Sequence, residues 1–437
     1  MSDVATKTGF DEGALAALPA SAPFVESLRK QALEEYLALP VPSQETEEWR
    51  YTDLSGFDFG FRPFAPGEGA ENLDDVPEEI LSAAGAVGDR AGLQIQHNSE
   101  VAVTHLDPEA AADGVVFTSL DRAVEEHPEI VERTLHALVP PERTKFTALH
   151  AAFRAGGTFL YVPAGVAVGL PIQTLTYLDA DGAAVFPHTL IVAEEDSEVT
   201  FIDRFTSPKL SRALSDAVVE IHAAPASRVR YVSLQDWGEG VQHLVVQRAR
   251  IARDAEVRSL CVSFGADLSR SEAESVMAEP GAFSEMLGLY FADGSQHYDH
   301  RTLQDHEAPS CTSSMLYKGA LKAESQAVYS GWVHVRPDAQ KTDAFQTVRN
   351  IVLSEKAKAA SIPNLEIEAN DVRCGHAASD APVDEDQLFY LQSRGIPGKE
   401  AERLIVFGFF QEVLDKVSLG EVREQLAHAI EAELAGE

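Results

Sequence analysis

A cysteine and a histidine separated by one glycine form the pair of side chains best suited to chemistry. Cys374 and His376 lie in the segment 364–397, whose first half alternates apolar and charged residues as a β-strand does. In an extended strand, residues i and i+2 point the same way and lie about 6–7 Å apart, so the thiol and the imidazole would face one space. Sulfur and nitrogen ligands together suit a soft transition metal or an iron–sulfur species. The pair is therefore a candidate ligand site.

The residues before this pair predict the direction in which it points. Over residues 365–369 the odd positions are apolar and the even positions are charged or polar, so the odd face is expected to be core. If this phase continues through the turn at residues 370–371, then Cys374 and His376 lie on the outer face. A turn easily changes which face the following residues occupy. The outer position is therefore expected only if the turn at residues 370–371 keeps the alternation unchanged.

The remaining cysteines do not form a metal motif with this pair. The chain has three cysteines and no C-x-x-C, which argues against a disulfide framework and against a self-contained cysteine cluster site. Any cluster would need further ligands, which another chain can supply. Cys261 lies in an apolar strand and is expected in the core. Cys311 lies in a turn-like segment that is compatible with exposure, and both a structural and a functional role stay open.

A second group of candidate ligands lies in the segment 296–306. His297, His300 and His306 alternate there with aspartates, a composition that occurs in metal sites. Histidines on alternating strand positions also occur as ordinary polar neighbours on one face of a sheet. Both interpretations remain open from the residues alone.

Composition limits the class of protein and its partners. The chain has 437 residues, of which 45% are hydrophobic, so it is long enough for a large core and more than one domain. No apolar run reaches the ~20 residues that span a bilayer, and residues 1–13 contain no apolar signal region, so we expect a cytoplasmic protein. The net charge of −35 makes nucleic acid and anionic membranes poor partners. It indicates either a strongly solvated surface or a salt-rich cytosol.

Hydrophobic patterning divides the chain into three predicted parts. Residues 1–90 are helical and then irregular, residues 91–380 form a β core, and residues 381–437 are helical. Within the β core, similar segments recur about every 29 residues and suggest stacked coils of a β-solenoid, with a β-sandwich as the alternative. The anchors of this repeat are Val199, Val229, Val257 and Met286.

The helical C-terminal part carries more apolar residues than one packed face requires, especially over residues 398–416. Packing against the β core and docking of a partner are both consistent with this pattern. The chain has no G-x-x-x-x-G-K-[ST], G-x-S-x-G or H-E-x-x-H, so no nucleotide-hydrolysing loop, serine hydrolase elbow or zinc protease helix is predicted.

Several long motifs give this chain a resemblance to the SufB/SufD family of iron–sulfur cluster assembly proteins, and within it to the SufD branch. They are ETEEWRYTDL (45–54), FLYVPAGVAVGLPI (159–172), QHYDHRTLQDHEAPSCTSS (296–314), RNIVLSEKAKAASIPNLEIEANDVRCGHAAS (349–379) and EDQLFYLQSRGI (385–396). SufB-like chains carry a cysteine where this chain has Arg349, and a glutamate where it has Ala377. Both departures favour the SufD branch.

The resemblance implies a right-handed parallel β-helix between two helical regions, and a non-catalytic scaffold subunit paired with SufB. It implies that Cys374 and His376 lie at that interface and hold a transient iron–sulfur cluster shared with SufB. It also implies that the ATPase SufC docks on the C-terminal helices, where the expected interface residues are Leu388, Phe389, Leu404, Phe407 and Phe410. FAD is associated with such complexes, but the sequence has no dinucleotide fingerprint. A homodimer, a purely structural scaffold and a β-helix carbohydrate enzyme are the alternatives.

Overall fold

The computed structural model describes residues 9–70, 72–85, 89–417 and 419–435. Part of the segment 1–13, from which location was predicted, therefore lies outside the described residues. The chain forms a parallel β-solenoid of about 8 turns flanked by helices, so the predicted mainly-β solenoid is confirmed. None of the helices in the described ranges is long and apolar enough to span a membrane.

Strands occupy most of the middle of the chain. They are β1 (Gly92–His97), β2 (Glu100–Leu106), β3 (Val116–Ser119), β4 (Thr158–Val162), β5 (Ile172–Tyr177), β6 (Ala184–Val185), β7 (His188–Ala193), β8 (Glu198–Thr206), β9 (Ala213–Ala223), β10 (Arg228–Asp236), β11 (Val241–Ile251), β12 (Glu256–Ser263), β13 (Leu268–Met277), β14 (Phe283–Ala292), β15 (His297–His306), β16 (Thr312–Leu321), β17 (Gln326–Val335), β18 (Asp343–Val352), β19 (Lys358–Ile367) and β20 (Arg373–Pro382).

Helices lie at both ends and in one insertion. They are α1 (Glu12–Ala16), α2 (Pro23–Ala38), α3 (Glu78–Ala83), α4 (Pro108–Ala112), α5 (Leu120–Glu126), α6 (Pro128–Thr134), α7 (Lys145–Phe153), α8 (Glu385–Ser393), α9 (Gly398–Leu414) and α10 (Gly420–Ala435), with short 3-10 turns at Glu47–Trp49, Leu73–Asp75 and Pro141–Arg143. Helices α4 to α7 interrupt the region that the sequence pattern assigns to the β core.

Two sheets form the walls of the solenoid, and each coil contributes one strand to each sheet. The first sheet has the order β2-β1-β5-β8-β10-β12-β14-β16-β18-β20, and the second has the order β19-β17-β15-β13-β11-β9-β7-β4-β3. From β4 onward the pairings between the strands given above are parallel, and antiparallel pairs occur at β1–β2 and β3–β4. The β-sandwich alternative is therefore wrong, because that fold is built from antiparallel strands.

The repeat seen in the sequence corresponds to the stacking of coils. Val199, Val229 and Val257 lie side by side in β8, β10 and β12, as predicted. The next residue in this row is Ser284, and Met286 pairs instead with Ser259. Side chains alternate with a period of two, so a shift of two residues keeps Met286 on the inner face, and the pattern fits either register.

One corner of six successive coils contains a residue with positive φ, and these corners are hydrogen-bonded to one another along the solenoid. The residues are Asp196, Ala226, Asp254, Gly281, Ser310 and Lys341. The N–H of Asp196 donates to Pro225 O at 3.0 Å, and the N–H of Ser310 donates to Gln340 O at 2.8 Å. The tight corner recurs in these coils and sets the repeat length.

Apolar layers cover both outer faces of the solenoid. Aromatic residues from the N-terminal segment, including Trp49 and Phe59, pack with Phe146 of α7 against the second sheet. Helices α9 and α10 pack along the outer face of the first sheet, where Val406 and Phe410 are buried. These layers do not extend over the last coil, β19 and β20, which is the most solvent-exposed part of the β region.

Candidate functional site

The last coil of the solenoid has two exposed edges. In the described part of the chain, β20 pairs only with β18 and β19 pairs only with β17, and no strand follows them in either sheet. Each strand is ten residues long, so a row of backbone N–H and C=O groups is left without a strand partner. An edge strand of this kind can accept hydrogen bonds from, and donate them to, another strand.

Cys374 and His376 lie on the inner face of this last coil. The register of β18 with β20 places Cys374 beside Ala344 and His376 beside Gln346, and both neighbours are fully buried inside the solenoid. The prediction that the pair lies on the outer face is therefore wrong. The corner between the strands reverses the phase, because Leu365 and Ala369 face inward at odd positions while β20 faces inward at even positions.

The inner position does not bury the pair completely, because no further coil covers it. Cys374 is half-buried beside Val372 and Leu365, whereas His376 is exposed. Burial raises the pKa of the Cys374 thiol, a shift that the backbone N–H of Ala344 partly opposes. The thiol is therefore mainly protonated at neutral pH, and a metal ion must displace its proton to be bound.

A carboxylate on the same face ties the two edge strands together. Asp380 Oδ1 accepts hydrogen bonds of 2.7 Å from Ser361 Oγ of β19 and from Asn350 Nδ2 of β18. Its other oxygen accepts the backbone N–H of Ser361 at 3.2 Å. Asp380 thus holds the open coil in shape, with Cys374 and His376 on the same strand.

The second group of predicted ligands is not brought together. His300 and His306 point into the solenoid about 20 Å apart, at about 3.3 Å per residue along β15. His306 Nε2 lies 2.8 Å from Ser313 Oγ, and His297 Nε2 lies 3.3 Å from Thr52 Oγ1 on the outer side. These side chains face different neighbours and have no common space in which to share an ion.

The structure buries both remaining cysteines. Cys261 is in the core, as expected, whereas Cys311 is also fully buried and donates to Glu279 O at 3.3 Å. Cys311 is therefore not exposed, because its side chain packs into the core of the solenoid while Pro309 and Ser310 form the exposed corner beside it.

Within the described ranges, the imidazoles that do converge are His136, His150 and His188, whose ligand atoms lie within 4.8 Å of one another. The sequence analysis did not single them out. They lie on separate elements, and no spacing motif connects them.

The predicted partner residues of the C-terminal helices divide into two groups. Phe389 and Leu404 are 71% and 43% exposed, and Leu388 and Phe407 are half-buried. Phe410 has no exposed surface and packs against the first sheet, which corrects the expectation that it lies at a partner surface. The apolar residues of the C-terminal helices therefore have two positions. Those of α9 mostly pack against the first sheet, and exposed apolar side chains lie chiefly on α8.

Comparison with known proteins matches two family models to this chain. The SufBD core domain of the SUF system for FeS cluster assembly matches residues 176–409, and the SufBD protein N-terminal region matches residues 91–174. The SufD iron–sulfur cluster assembly protein of Bacillus subtilis is 30% identical over 414 residues, which is 93% of each chain.

Two further relatives carry the same kind of description. The SufB iron–sulfur cluster assembly protein of Bacillus subtilis is 29% identical over 419 residues, 93% of this chain and 89% of its own. A SufBD family protein of Mycobacterium tuberculosis is 39% identical over 305 residues, 68% of this chain and 75% of its own. With a family model that covers more than half of its length, this chain belongs to the SufBD family of iron–sulfur cluster assembly proteins.

Proposed function

We propose that this chain is a SufD-type scaffold subunit that pairs with a SufB-type paralogue through its last coil and offers Cys374 and His376 to a nascent iron–sulfur cluster. The observation that carries this proposal is the position of a half-buried thiol and an exposed imidazole on one face of an unpaired β edge. Iron and sulfide are the substrates of this site, and the finished cluster leaves it.

The open edge supports pairing with a related solenoid. Ten-residue edge strands without a partner are normally shortened, charged or covered, because they invite association. Trp332 and Phe345, on the two strands next to this edge, are 41% and 55% exposed. Strand addition supplies main-chain hydrogen bonds, and exposed aromatic side chains supply anchor residues.

The ligand set on this chain is incomplete, which supports a shared site. Cys374 and His376 give two ligands, while an iron–sulfur cluster is normally held by four protein ligands. Arg349 and Ala377 stand where SufB-like chains have a cysteine and a glutamate, so the resemblance assigns the missing ligands to the paralogue. His376 is the more exposed of the two and is placed to meet iron first. Cys374 follows when the metal displaces its proton.

We further propose that a SufC-type ATPase docks on the exposed part of the C-terminal helices, around Phe389 and Leu404. This chain has no nucleotide-binding loop, so the ATP chemistry belongs to that partner and this subunit is not itself an enzyme. Motion of the ATPase would rotate the two solenoids against each other and expose Cys374 and His376 to their substrates. The working location would be the cytoplasm.

The test is to co-express this chain with the SufB-type and SufC-type proteins of the same organism and to reconstitute the purified complex anaerobically with iron and sulfide. His376→Ala should leave the complex assembled but abolish the visible absorption of the cluster, and Cys374→Ser should reduce it strongly. His334→Ala is the matched control, because this histidine lies one coil away next to Asp305 and Glu368. Unchanged cluster yield in the intact His376→Ala complex would support the purely structural scaffold instead.

A further inference from the structure

Three histidines meet under the helical layer that covers the second sheet, at the opposite end of the solenoid from the last coil. His188 begins β7, His150 lies on α7, and His136 follows α6 in a left-handed conformation with a φ of 56°. His150 and His188 have no exposed surface and His136 is 6% exposed. The sequence separates these residues, and the packing of helix on sheet brings them together.

The hydrogen bonds of the outer nitrogens fix the tautomer of each ring. His136 Nδ1 lies 3.0 Å from Val139 O, and His150 Nδ1 lies 2.8 Å from Asp216 O. Because a carbonyl oxygen only accepts, each of these nitrogens must carry a hydrogen.

The third ring is held by a carboxylate. His188 Nε2 lies 3.1 Å from Glu220 Oε2, and both Glu220 oxygens accept backbone N–H groups, from His136 at 2.7 Å and from Leu138 at 2.6 Å. Glu220 therefore faces His188 as an acceptor, and the hydrogen of this imidazole lies on Nε2.

These tautomers direct three lone pairs at one another. The nitrogens left without hydrogen are His136 Nε2, His150 Nε2 and His188 Nδ1. Each of the three rings has one nitrogen within 4.8 Å of a nitrogen of the other two, and the His136 and His188 ring centres are 4.9 Å apart. His150 Nε2 and His188 Nδ1 are only 3.1 Å apart, so two acceptors face each other with no donor between them. His136 Nε2 is buried and has no hydrogen-bond partner in the described structure. A cation at the centre would satisfy all three.

We propose that His136, His150 and His188 bind one divalent transition-metal ion of the Zn²⁺ type, in a structural site that joins α7 and the segment after α6 to the second sheet. Neutral imidazoles are the ligands such ions prefer, and an imidazole ligand ordinarily donates its other nitrogen to a carbonyl or carboxylate, as all three do here. Glu220 orients His188 by accepting from its Nε2. Burial lowers the pKa of all three rings, that of His136 to about 3, which keeps them neutral and able to coordinate.

The site is separate from the proposed cluster site in both position and chemistry. It contains nitrogen ligands without sulfur, it is sealed by α7, and it lies on the outer face of the second sheet rather than on the inner face of the last coil. An ion here would stabilise the fold and would not be exchanged during cluster assembly.

The first experiment measures zinc in the full-length chain, produced in zinc-supplemented medium and passed through a desalting column with a weak chelator. Elemental analysis should give about one zinc per chain, and X-ray absorption should show nitrogen ligands at about 2.0–2.1 Å without sulfur. Co²⁺ in place of zinc should give visible bands of a tetrahedral nitrogen site without thiolate charge transfer. A chain without bound metal, or a spectrum with sulfur ligation, would overturn the proposal.

Variants connect the metal to these three residues. His136→Gln should lower the zinc content at least tenfold and lower the melting temperature, since it removes one ligand. His243→Gln is the matched control, because His243 is equally buried but pairs with Ser215 Oγ, and it should keep the metal. The double variant Cys374→Ser/His376→Ala should also keep it, which separates this site from the proposed cluster site. Equal zinc content in His136→Gln and the wild type would contradict the assignment.

Discussion

The two ends of the solenoid differ in how their last strands are paired and covered. At the first end, β2 runs antiparallel to β1, β3 runs antiparallel to β4, and the N-terminal segment with α2 and α7 covers the second sheet. At the last end, β19 and β20 each have one neighbouring strand, and most of their residues are partly or fully exposed. A solenoid adds coils by the same hydrogen bonds at either end, so an end that is left bare is available for pairing.

This difference separates residues that stabilise the chain from residues that the proposed function assigns to a partner. The outer face of the second sheet, called the covered flank below, contains buried ion pairs and the three converging histidines. The loss of one group there leaves another group with fewer partners. The last coil contains Cys374 and His376 beside water, where a substitution changes what can bind and has little effect on folding. We therefore expect large stability effects at the flank and small ones at the open end.

The largest effect should come from Asp299, which joins the N-terminal segment to the second sheet. Its buried carboxylate accepts from Thr52 Oγ1 at 2.6 Å and pairs with Arg270, whose guanidinium lies 3.8 Å from the centre of the Trp49 ring. Asp299→Ala removes the acceptor of Thr52 Oγ1 and leaves the buried Arg270 guanidinium with Glu272 as its carboxylate partner, so it should lower the free energy of unfolding by about 3 kcal/mol. Urea unfolding followed by circular dichroism measures this loss.

The control for this substitution is Glu324→Ala, which breaks the exposed pair with Lys356. Surface pairs contribute little because water solvates both charges. If the two variants unfold at similar urea concentrations, the contrast between the flank and the exposed surface does not hold.

Two adjacent proline substitutions test the edge of β20. The N–H of Arg373 donates to Thr342 O, so the N–H groups at odd positions point to β18 and those at even positions point outward. Ala377→Pro removes a ladder hydrogen bond and should cost about 2 kcal/mol in urea unfolding. Ala378→Pro removes an outward N–H and should cost less.

On the proposed pairing, Ala378→Pro should instead weaken association with the SufB-type paralogue by about tenfold, the equivalent of one hydrogen bond of about 1.4 kcal/mol. Co-purification and analytical ultracentrifugation of the complex measure this effect. A variant that associates like the wild type would show that the partner does not add to this edge.

Inside the solenoid, His300 should make the chain sensitive to acid. Its ring lies 4.6 Å from that of Tyr290, and neither ring nitrogen has a hydrogen-bond partner among the described residues. Burial lowers the pKa of His300 to about 4, and the nearby Asp299 carboxylate opposes this shift in part. Below its ordinary pKa of about 6.5 the unfolded chain binds the proton and the folded chain does not, so stability present above this pH is lost as the pH falls toward 4.

His300→Phe should remove this contribution, which is about 1.6 kcal/mol between pH 6.5 and 5, because the slope is half of its full value of about 1.4 kcal/mol per pH unit at pH 6.5. Urea unfolding at a series of pH values measures the slope of the free energy of unfolding against pH. Tyr317→Phe alters the same aromatic group without a side chain that titrates in this range and should keep the wild-type slope. An unchanged slope in His300→Phe would assign the acid sensitivity to other histidines.

The smallest effect on folding is expected at Phe345, next to the open edge. This ring is 55% exposed, so Phe345→Ser should change the free energy of unfolding by less than about 0.5 kcal/mol. The same change should weaken pairing with the paralogue by about tenfold if the ring is an anchor residue. A loss of more than 1 kcal/mol in the isolated chain would show that the ring is part of the core.

Much of the fold follows from local patterning. The alternation in strands such as β18 and the recurrence of Val199, Val229 and Val257 predict stacked coils, because each coil repeats the same corner and the same inner face. The recurrence does not predict the shift at Met286, since a period of two fits either register. The helical insertion between β3 and β4 was also missed, because its short helices lack a sustained period.

The candidate site was found from residue types, but its orientation was not. The spacing alone places Cys374 and His376 on one side of a strand, because residues i and i+2 point the same way in an extended chain. That this side faces the inside of the solenoid follows from the packing of the coils, because the corner before β20 reverses the phase. The tertiary structure also joins His136, His150 and His188, since they belong to different elements and are brought together by packing rather than by spacing.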